Sequence, residues 1–227
     1  MNKHVALSAV LGGLLLASGC PAAAIELAVG QRVTVPVSSL KDIKFRNTTR
    51  QQFDFSCGSA AVATLLTYHY GTPVTEKAVF DYMYANGDKA KIHQQGFSML
   101  DMKRYLASEG FVGDGFQQPL DKLLEAKLPA IVLISDRGYN HFVVIKGAED
   151  GRILLGDPSF GTRSVTRERF MELWVNKLLF VVHKYPGKTV AFNGTDDWRA
   201  APRAPLGTGI NQAQYSQSLP KFGPGDF

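Results

Sequence analysis

The hydrophobic pattern of this chain changes period once, near Pro129, and that change limits the fold more than any single motif. Upstream of it, apolar residues recur at helical spacing between Gly and Pro stops. Residues 59–70 (SAAVATLLTYHY) form a small, apolar run with Ser56 placed as N-cap, Gly71 as the stop and Pro73 just beyond. Residues 75–83 read as a second helix ending at Asn86 and Gly87, and residues 99–109 as a third between Ser98 and Gly110. Residues 120–126 read as a short fourth, while residues 87–96, which hold His93, read as a polar loop. Downstream, residues 130–134 are continuously apolar, hence a buried strand. Residues 141–147 and 152–158 flank the turn Glu149-Asp150-Gly151 and read as a β-hairpin. A helix over 166–175 and a strand over 178–183 complete the pattern. Helices first and mostly antiparallel strands after is an α+β arrangement rather than a doubly wound one.

The two ends differ from this block. Lys3 and His4 precede an apolar stretch, residues 5–16, that is too short to span a bilayer as a mature helix. Ala22-Ala23-Ala24 then fits a small-x-small cleavage pattern, so residues 1–24 read as a signal peptide cut after Ala24. The expected location is the periplasm. A second reading stays open: Ala17-Ser18-Gly19-Cys20 has the form of a bacterial lipobox, with Ala where Leu is more usual, and would leave Cys20 as a lipid-anchored N-terminus. The mature chain carries no further candidate span. Residues 32–37 alternate and read as an edge strand, because of Pro36. The folded domain is expected over 25–190, and residues 191–227, rich in Gly and Pro, read as a flexible tail. Removing the leader takes one positive charge from a net +5, and no compact basic block with interleaved aromatics remains. Nucleic acid is therefore not an expected partner.

Export makes the cysteine count informative. Of two cysteines, Cys20 lies in the leader, so a chain cut after Ala24 keeps only Cys57. Exported proteins usually pair their cysteines, and a lone thiol there is either deeply buried or chemically used. Cys57 falls in the first turn of the helix over 59–70, where free N–H groups and the positive end of the helix dipole favour a thiolate. Gly58 lets the backbone pack close beside the sulfur. A small buried cysteine in a core helix is the competing reading.

A thiolate nucleophile needs a base, and the base an orienter. His69 lies more than three turns along the cysteine's own helix, His93 in the polar loop, and His183 near the end of the last strand. His141, after Gly138-Tyr139-Asn140, opens a strongly apolar strand, which suits a cleft between helix and sheet. Folding the hairpin at 149–151 pairs residues whose numbers sum to about 300, which sets His141 opposite position 159 and close to Asp157. Asp157 before Pro158 is equally a common turn starter. Gln51, six residues before Cys57, can donate its amide N–H to an oxyanion beside the Cys57 backbone N–H, with Gln52 and Asp54 as rivals by position. No His, Cys or Asp cluster has metal-ligand spacing, and no Gly-rich phosphate loop follows a strand, so no metal or cofactor is expected.

A Gln six positions before Cys-Gly, a small apolar helix, His-Phe-Val-Val, and Asp-Pro sixteen residues on together resemble the C39 peptidase family over roughly residues 51–185. These are papain-like cysteine peptidases, best known as N-terminal domains of bacteriocin-exporting ABC transporters that cut leaders after a double glycine. The resemblance implies a papain-like fold, Cys57 as nucleophile, His141 as base, Asp157 as orienter and Gln51 as oxyanion donor. Ser56 stands where transporter-linked members often carry an acidic residue, and this chain shows neither a transmembrane nor a nucleotide-binding domain. It is more similar to the stand-alone, exported C39-like proteins, one of which is encoded with the functional-amyloid secretion system of pseudomonads. The implied substrate is a secreted or outer-membrane polypeptide, such as an amyloid subunit or its secretion channel. The alternative is a C39-like binding module that recognises such a partner without cutting it, and hydrolysis and acyl transfer stay equally open.

Overall fold

The computed structural model describes residues 23–26, 32–35, 39–136, 138–187 and 189–201. The leader up to residue 22 and the tail from 202 lie outside the described residues, as does Cys20. The chain divides into two units at Ser39. The first holds a two-stranded antiparallel hairpin, β1 (Ala23–Glu26) and β2 (Arg32–Val35), in the register Ala23 to Val35 and Glu26 to Arg32.

The second unit opens with a short helix, α1 (Leu40–Lys44). Helix α2 (Cys57–Thr64) follows and runs on as a π-helical stretch over Leu65–His69. Three helices come next: α3 (Glu76–Asn86), α4 (Lys89–Gln95) and α5 (Met99–Ser108). The α5 start is a full capping box, with Ser98 and Asp101 satisfying each other's backbone N–H groups. Strand β3 (Val112–Gln117) and helix α6 (Leu120–Ala126) precede the strands β4 (Ala130–Asp136), β5 (Tyr139–Glu149), β6 (Arg152–Asp157) and β7 (Gly161–Thr166). Helix α7 (Arg167–Leu173), strand β8 (Leu178–Lys184) and helix α8 (Thr195–Ala200) end the described chain.

Six strands form one antiparallel sheet in the order β3-β8-β4-β5-β6-β7. Both of its faces are covered, which is why residues 130–134 read as unbroken apolar sequence. Ile131, Val144, Phe180 and Val182 pack beneath α2, α3 and α5 with Leu65, Leu66, Val79, Met102 and Leu106. Ala130, Val132, Ile134, Val143 and Ile145 face the other way, against α6 and α7 through Leu120, Leu123, Phe170 and Trp174. Each fully buried large side chain contributes about 1.5–3 kcal/mol.

Three features depart from the sequence reading. The loop expected at 87–96 contains α4, capped by the Asp88 carboxylate, which accepts from the N–H groups of Ala90 and Lys91. Strands β3 and β7 carry too much Gly, Asp and Ser for strand propensity to reveal them, and pairing with β8 and β6 holds them in place. The expected tail does not begin loose: the Ala191 N–H donates to the His69 carbonyl, the Asn193 N–H to the Lys146 carbonyl, and α8 follows.

Candidate active site

The site forms where the first turn of α2 meets the start of β5 and the end of β6. Ser56 holds the N-cap position, but its hydroxyl bonds the Phe53 carbonyl at 3.0 Å and N–H at 3.1 Å instead of capping the helix. The helix's first N–H groups are thereby left for the sulfur. Helix α2 lies along β5, so the Phe142 N–H also reaches the Cys57 thiol. Gly58 serves a different contact from the one expected: a Cβ there would stand 2.9 Å from the Met102 methyl and 3.0 Å from Phe97 Cβ. Its small size seats α2 against α5.

Cys57 is 7% exposed. Burial pushes its thiol above the ordinary value, the N–H groups of Phe142 and Gly58 pull it down, and the nearby Asp157 charge raises it further. The net direction is upward, so the helix terminus does not by itself produce the depressed thiol expected from the sequence.

His141 is buried on β5, opposite Ile134 of β4. Its Nε2 lies 3.1 Å from Asp157 Oδ2. Its Nδ1 is also buried and has no hydrogen-bond partner among the described residues. Asp157, fully buried, is held on all sides. Oδ1 accepts from the N–H groups of Ser159 at 2.9 Å and Phe160 at 3.2 Å, and Oδ2 also meets Arg163 Nε at 3.0 Å and Nη2 at 2.9 Å. Burial works against the carboxylate, but the His141 hydrogen bond and charge, the Arg163 guanidinium and the Ser159 N–H outweigh it and hold Asp157 below its ordinary value. The turn after β6 is therefore an anion cradle as well as a strand end.

Gln51 is fastened to that same turn. Its backbone N–H donates to the Pro158 carbonyl at 3.1 Å, and its Oε1 accepts from Ser159 Oγ at 3.0 Å. Its amide Nε2 points to the carbonyls of Phe53 at 3.0 Å and, more weakly, Asp54 at 3.4 Å. The structure thus brings His141, Asp157 and Gln51 together and sets Cys57 beside Phe142, the residue that follows His141. The other histidines lie elsewhere. His69 Nδ1 donates to the Ala191 carbonyl, and His183 sits 2.7 Å from Asp114. His93, on α4, meets the Tyr84 hydroxyl and the Phe55 ring at the rim of the Cys57 cleft.

The C39 peptidase family model matches residues 46–185, well over half of the chain. The chain belongs to the C39 peptidase family. This C39 peptidase is 41% identical, over 74% of its length and 76% of the relative's, to the probable functional amyloid protease FapD of Pseudomonas fluorescens. It is 40% identical, over 67% of each chain, to the FapD of Pseudomonas aeruginosa. The peptidase domain of Streptococcus ComA, a bi-functional ABC transporter involved in quorum sensing, superposes with a TM-score of 0.50 at 20% identity, covering 60% of this chain and 96% of that one. The fold is thus the papain-like α+β fold of C39 peptidase domains, and the protein is a cysteine peptidase.

Two neighbours of the site were not read from the sequence. Arg163 sits on β7, a strand with no apolar alternation to announce it. In the sequence Tyr139 stands out only as part of the approach to His141. Its ring stacks on the imidazole with centroids 5.3 Å apart and planes at 25°, and its hydroxyl donates to the Asp54 carbonyl at 2.8 Å. Tyr139 thereby stands between two clefts. One, of about 580 Å³, is lined by Cys57, Asp54, Phe55, the 93–96 segment and Asn140. The other, of about 480 Å³, is lined by His141, Lys44, Asp136, Phe160 and Arg163.

Proposed function

We propose that this peptidase hydrolyses a polypeptide of a functional-amyloid secretion system after export, using Cys57 as nucleophile and His141 as general base. One observation carries the mechanism: Asp157 holds His141 through Nε2, which leaves the buried Nδ1 as the nitrogen free to serve the thiol. Nδ1 takes the proton of Cys57 as Sγ attacks the peptide carbonyl. Because burial holds the resting thiol up, the proton moves during attack rather than before it. The imidazolium, stabilised by Asp157, then protonates the departing amine and leaves a thioester on Cys57. A water that gives its proton to Nδ1 releases the acyl group.

Two donors support the oxyanion in this reading. The Cys57 N–H lies at the start of α2, and the Gln51 amide, which donates to the Phe53 carbonyl at 3.0 Å and to the Asp54 carbonyl at 3.4 Å, gives up the longer contact to serve as the second donor. Removal of one such donor costs about 10²–10³ in kcat elsewhere.

The names of the FapD relatives and the leader-like first 24 residues support the substrate and the location. Export is through the signal peptide cut after Ala24, to the periplasm, with a lipid anchor on Cys20 as the alternative outcome. Co-expression of the wild-type chain or Cys57→Ala with the candidate amyloid subunit and the secretion channel, followed by mass mapping of both, tests the assignment. Loss of processing in the variant is expected, and retained processing would remove Cys57 from the mechanism. The mass of the mature N-terminus separates Ile25 from acylated Cys20.

A further inference from the structure

We infer that the cleft on the His141 side receives the substrate residues that follow the scissile bond, and that it selects an acidic side chain there. The inference rests on the peptidase reading above and adds the substrate class on its leaving-group side. Its first step is chemical. A thiol that attacks a carbonyl keeps the acyl half of the substrate, while the imidazole hands its proton to the amine half. The residues before the bond therefore run along the cleft that contains Cys57, and those after it along the cleft that contains His141. The structure separates these two clefts at Tyr139. The second, at about 480 Å³, lies within the size range of ligand sites.

Its charges decide what it accepts. Arg163 is ion-paired with Asp157, to which its Nε donates at 3.0 Å, and lies over the Phe160 ring, 5.7 Å from the centroid. Asp136 is matched by Arg169 at 3.4 Å. Lys44 is exposed at the wall and has no ion-pair partner among the described residues. Among the described residues the cleft therefore offers Lys44 as an unmatched cation beside an aromatic face, because Phe160 is 59% exposed. An acidic residue with an apolar neighbour fits that pair. Lys44 is also firmly seated. Gly161 has φ +78°, and a Cβ there would lie 2.7 Å from Lys44 Cβ and 2.8 Å from its carbonyl oxygen. Helix α1 thus packs directly on the turn that follows Asp157. Lys44 lies two residues before the stretch matched by the family model.

Backbone amide shifts in ¹⁵N NMR, with Ser-Glu-Glu-Phe-amide and Ser-Lys-Lys-Phe-amide as product-side probes on the wild-type chain, test the inference. The acidic peptide should move Phe160, Gly161 and Tyr139, leave residues 94–96 still, and bind about three- to fivefold tighter than its lysine counterpart, the effect of one half-exposed ion pair. Lys44→Glu should reverse that preference. The free-acid form of the acidic peptide should bind no differently, whereas a large gain would assign the anion to a chain-terminal carboxylate and overturn a side-chain site. Equal binding of the two amides, no binding at millimolar concentration, shifts confined to the Cys57 cleft, or an unchanged preference in Lys44→Glu would each overturn it. None of these outcomes touches the processing test of Cys57→Ala, so the two readings fail separately.

Discussion

His141 turns Nε2, not Nδ1, toward Asp157, at 3.1 Å from Oδ2, with both side chains shut away from solvent. Asp157 is not dedicated to the histidine. The same oxygen also meets Arg163, and the other accepts two backbone N–H groups of the turn that follows. The carboxylate therefore orients the imidazole and ties β6 to β7 at once.

Asp157→Asn separates these duties, because it keeps an oxygen for the Ser159 and Phe160 N–H groups but removes the charge beside His141 and Arg163. Peptidase kcat/KM should fall about a hundredfold or more, since the imidazolium loses its stabilising partner. Unfolding free energy should drop by about 3 kcal/mol, the cost of breaking a buried pair from one side. The folded carboxyl titrates below the ordinary 3.8, so its stabilisation is complete above about pH 5 and is lost as pH falls through the folded value. Urea melts of wild type and variant should thus differ most above pH 5, and the gap should shrink progressively as pH falls below 3.8 toward the lower folded value. A gap that did not shrink at all on acidification below pH 4 would contradict the assignment.

Cys57 tests the opposite sign. Its thiol is held above the ordinary 9.0, chiefly by burial. The thiolate is the reactive form, so alkylation by iodoacetamide should rise about tenfold per pH unit between pH 7 and pH 9. No plateau near neutrality is expected in the unliganded enzyme. A plateau already present at pH 6 would mean a resting thiolate–imidazolium pair, and His141 would then act as an ion-pair partner rather than as a base recruited by substrate.

His69 should give the fold an acid weakness unrelated to catalysis. It is buried at the end of the π-helical stretch that continues α2, with Nδ1 2.6 Å from the Ala191 carbonyl. Burial and then the Lys146 charge bring its pKa down from 6.5 to about 4. The unfolded chain takes up this proton near pH 6.5 and the folded chain only near pH 4. Between those values each unit of acidification should therefore lower the unfolding free energy by about 1.4 kcal/mol. His69→Gln should remove that slope between pH 6.5 and pH 4.5 in denaturant titrations, whatever it does to stability at neutral pH. A slope unchanged in the variant would show that another group carries it.

The parts of the fold that could be read from sequence were those whose own residues encode them. Residues 59–70 are small and apolar because α2 is buried, and Glu149-Asp150-Gly151 turns because Asp150 and Gly151 both take positive φ. The hairpin count worked through a compensation. Pairs near the turn sum to 301 (Gly147 to Leu154), and a bulge at Lys146 brings Ile145 and Leu155 to 300, so His141 still arrives beside Asp157. What escaped depended on partners distant in sequence. Strand β7 is polar and exists through β6, α4 has one buried apolar residue in Ile92, and Arg163 has meaning only beside Asp157. Residues 191–201 look like a tail because their anchor is a lysine in a strand, and a lysine reads as surface.

That anchor sets the last test. Lys146 is fully buried, with Nζ 2.6 Å from Asp197 Oδ1 on α8, 2.5 Å from the Asn47 carbonyl, and over the Tyr68 ring. Burial pulls the Lys146 ammonium below its ordinary value, and Asp197 opposes that shift. Ending the chain at Val190, the boundary that composition suggests, removes Asp197 and leaves a buried cation with one carbonyl and a ring. It also strips His69 of the Ala191 carbonyl. The truncated protein should lose about 3–5 kcal/mol of unfolding free energy, close to the whole stability of a modest domain. Lys146→Met in the truncated chain should recover a good part of that loss, since it removes the stranded charge and keeps the side-chain volume. If truncation at Val190 left the urea midpoint unchanged, α8 would be an appendage, and the Lys146–Asp197 pair would have no part in holding the fold together.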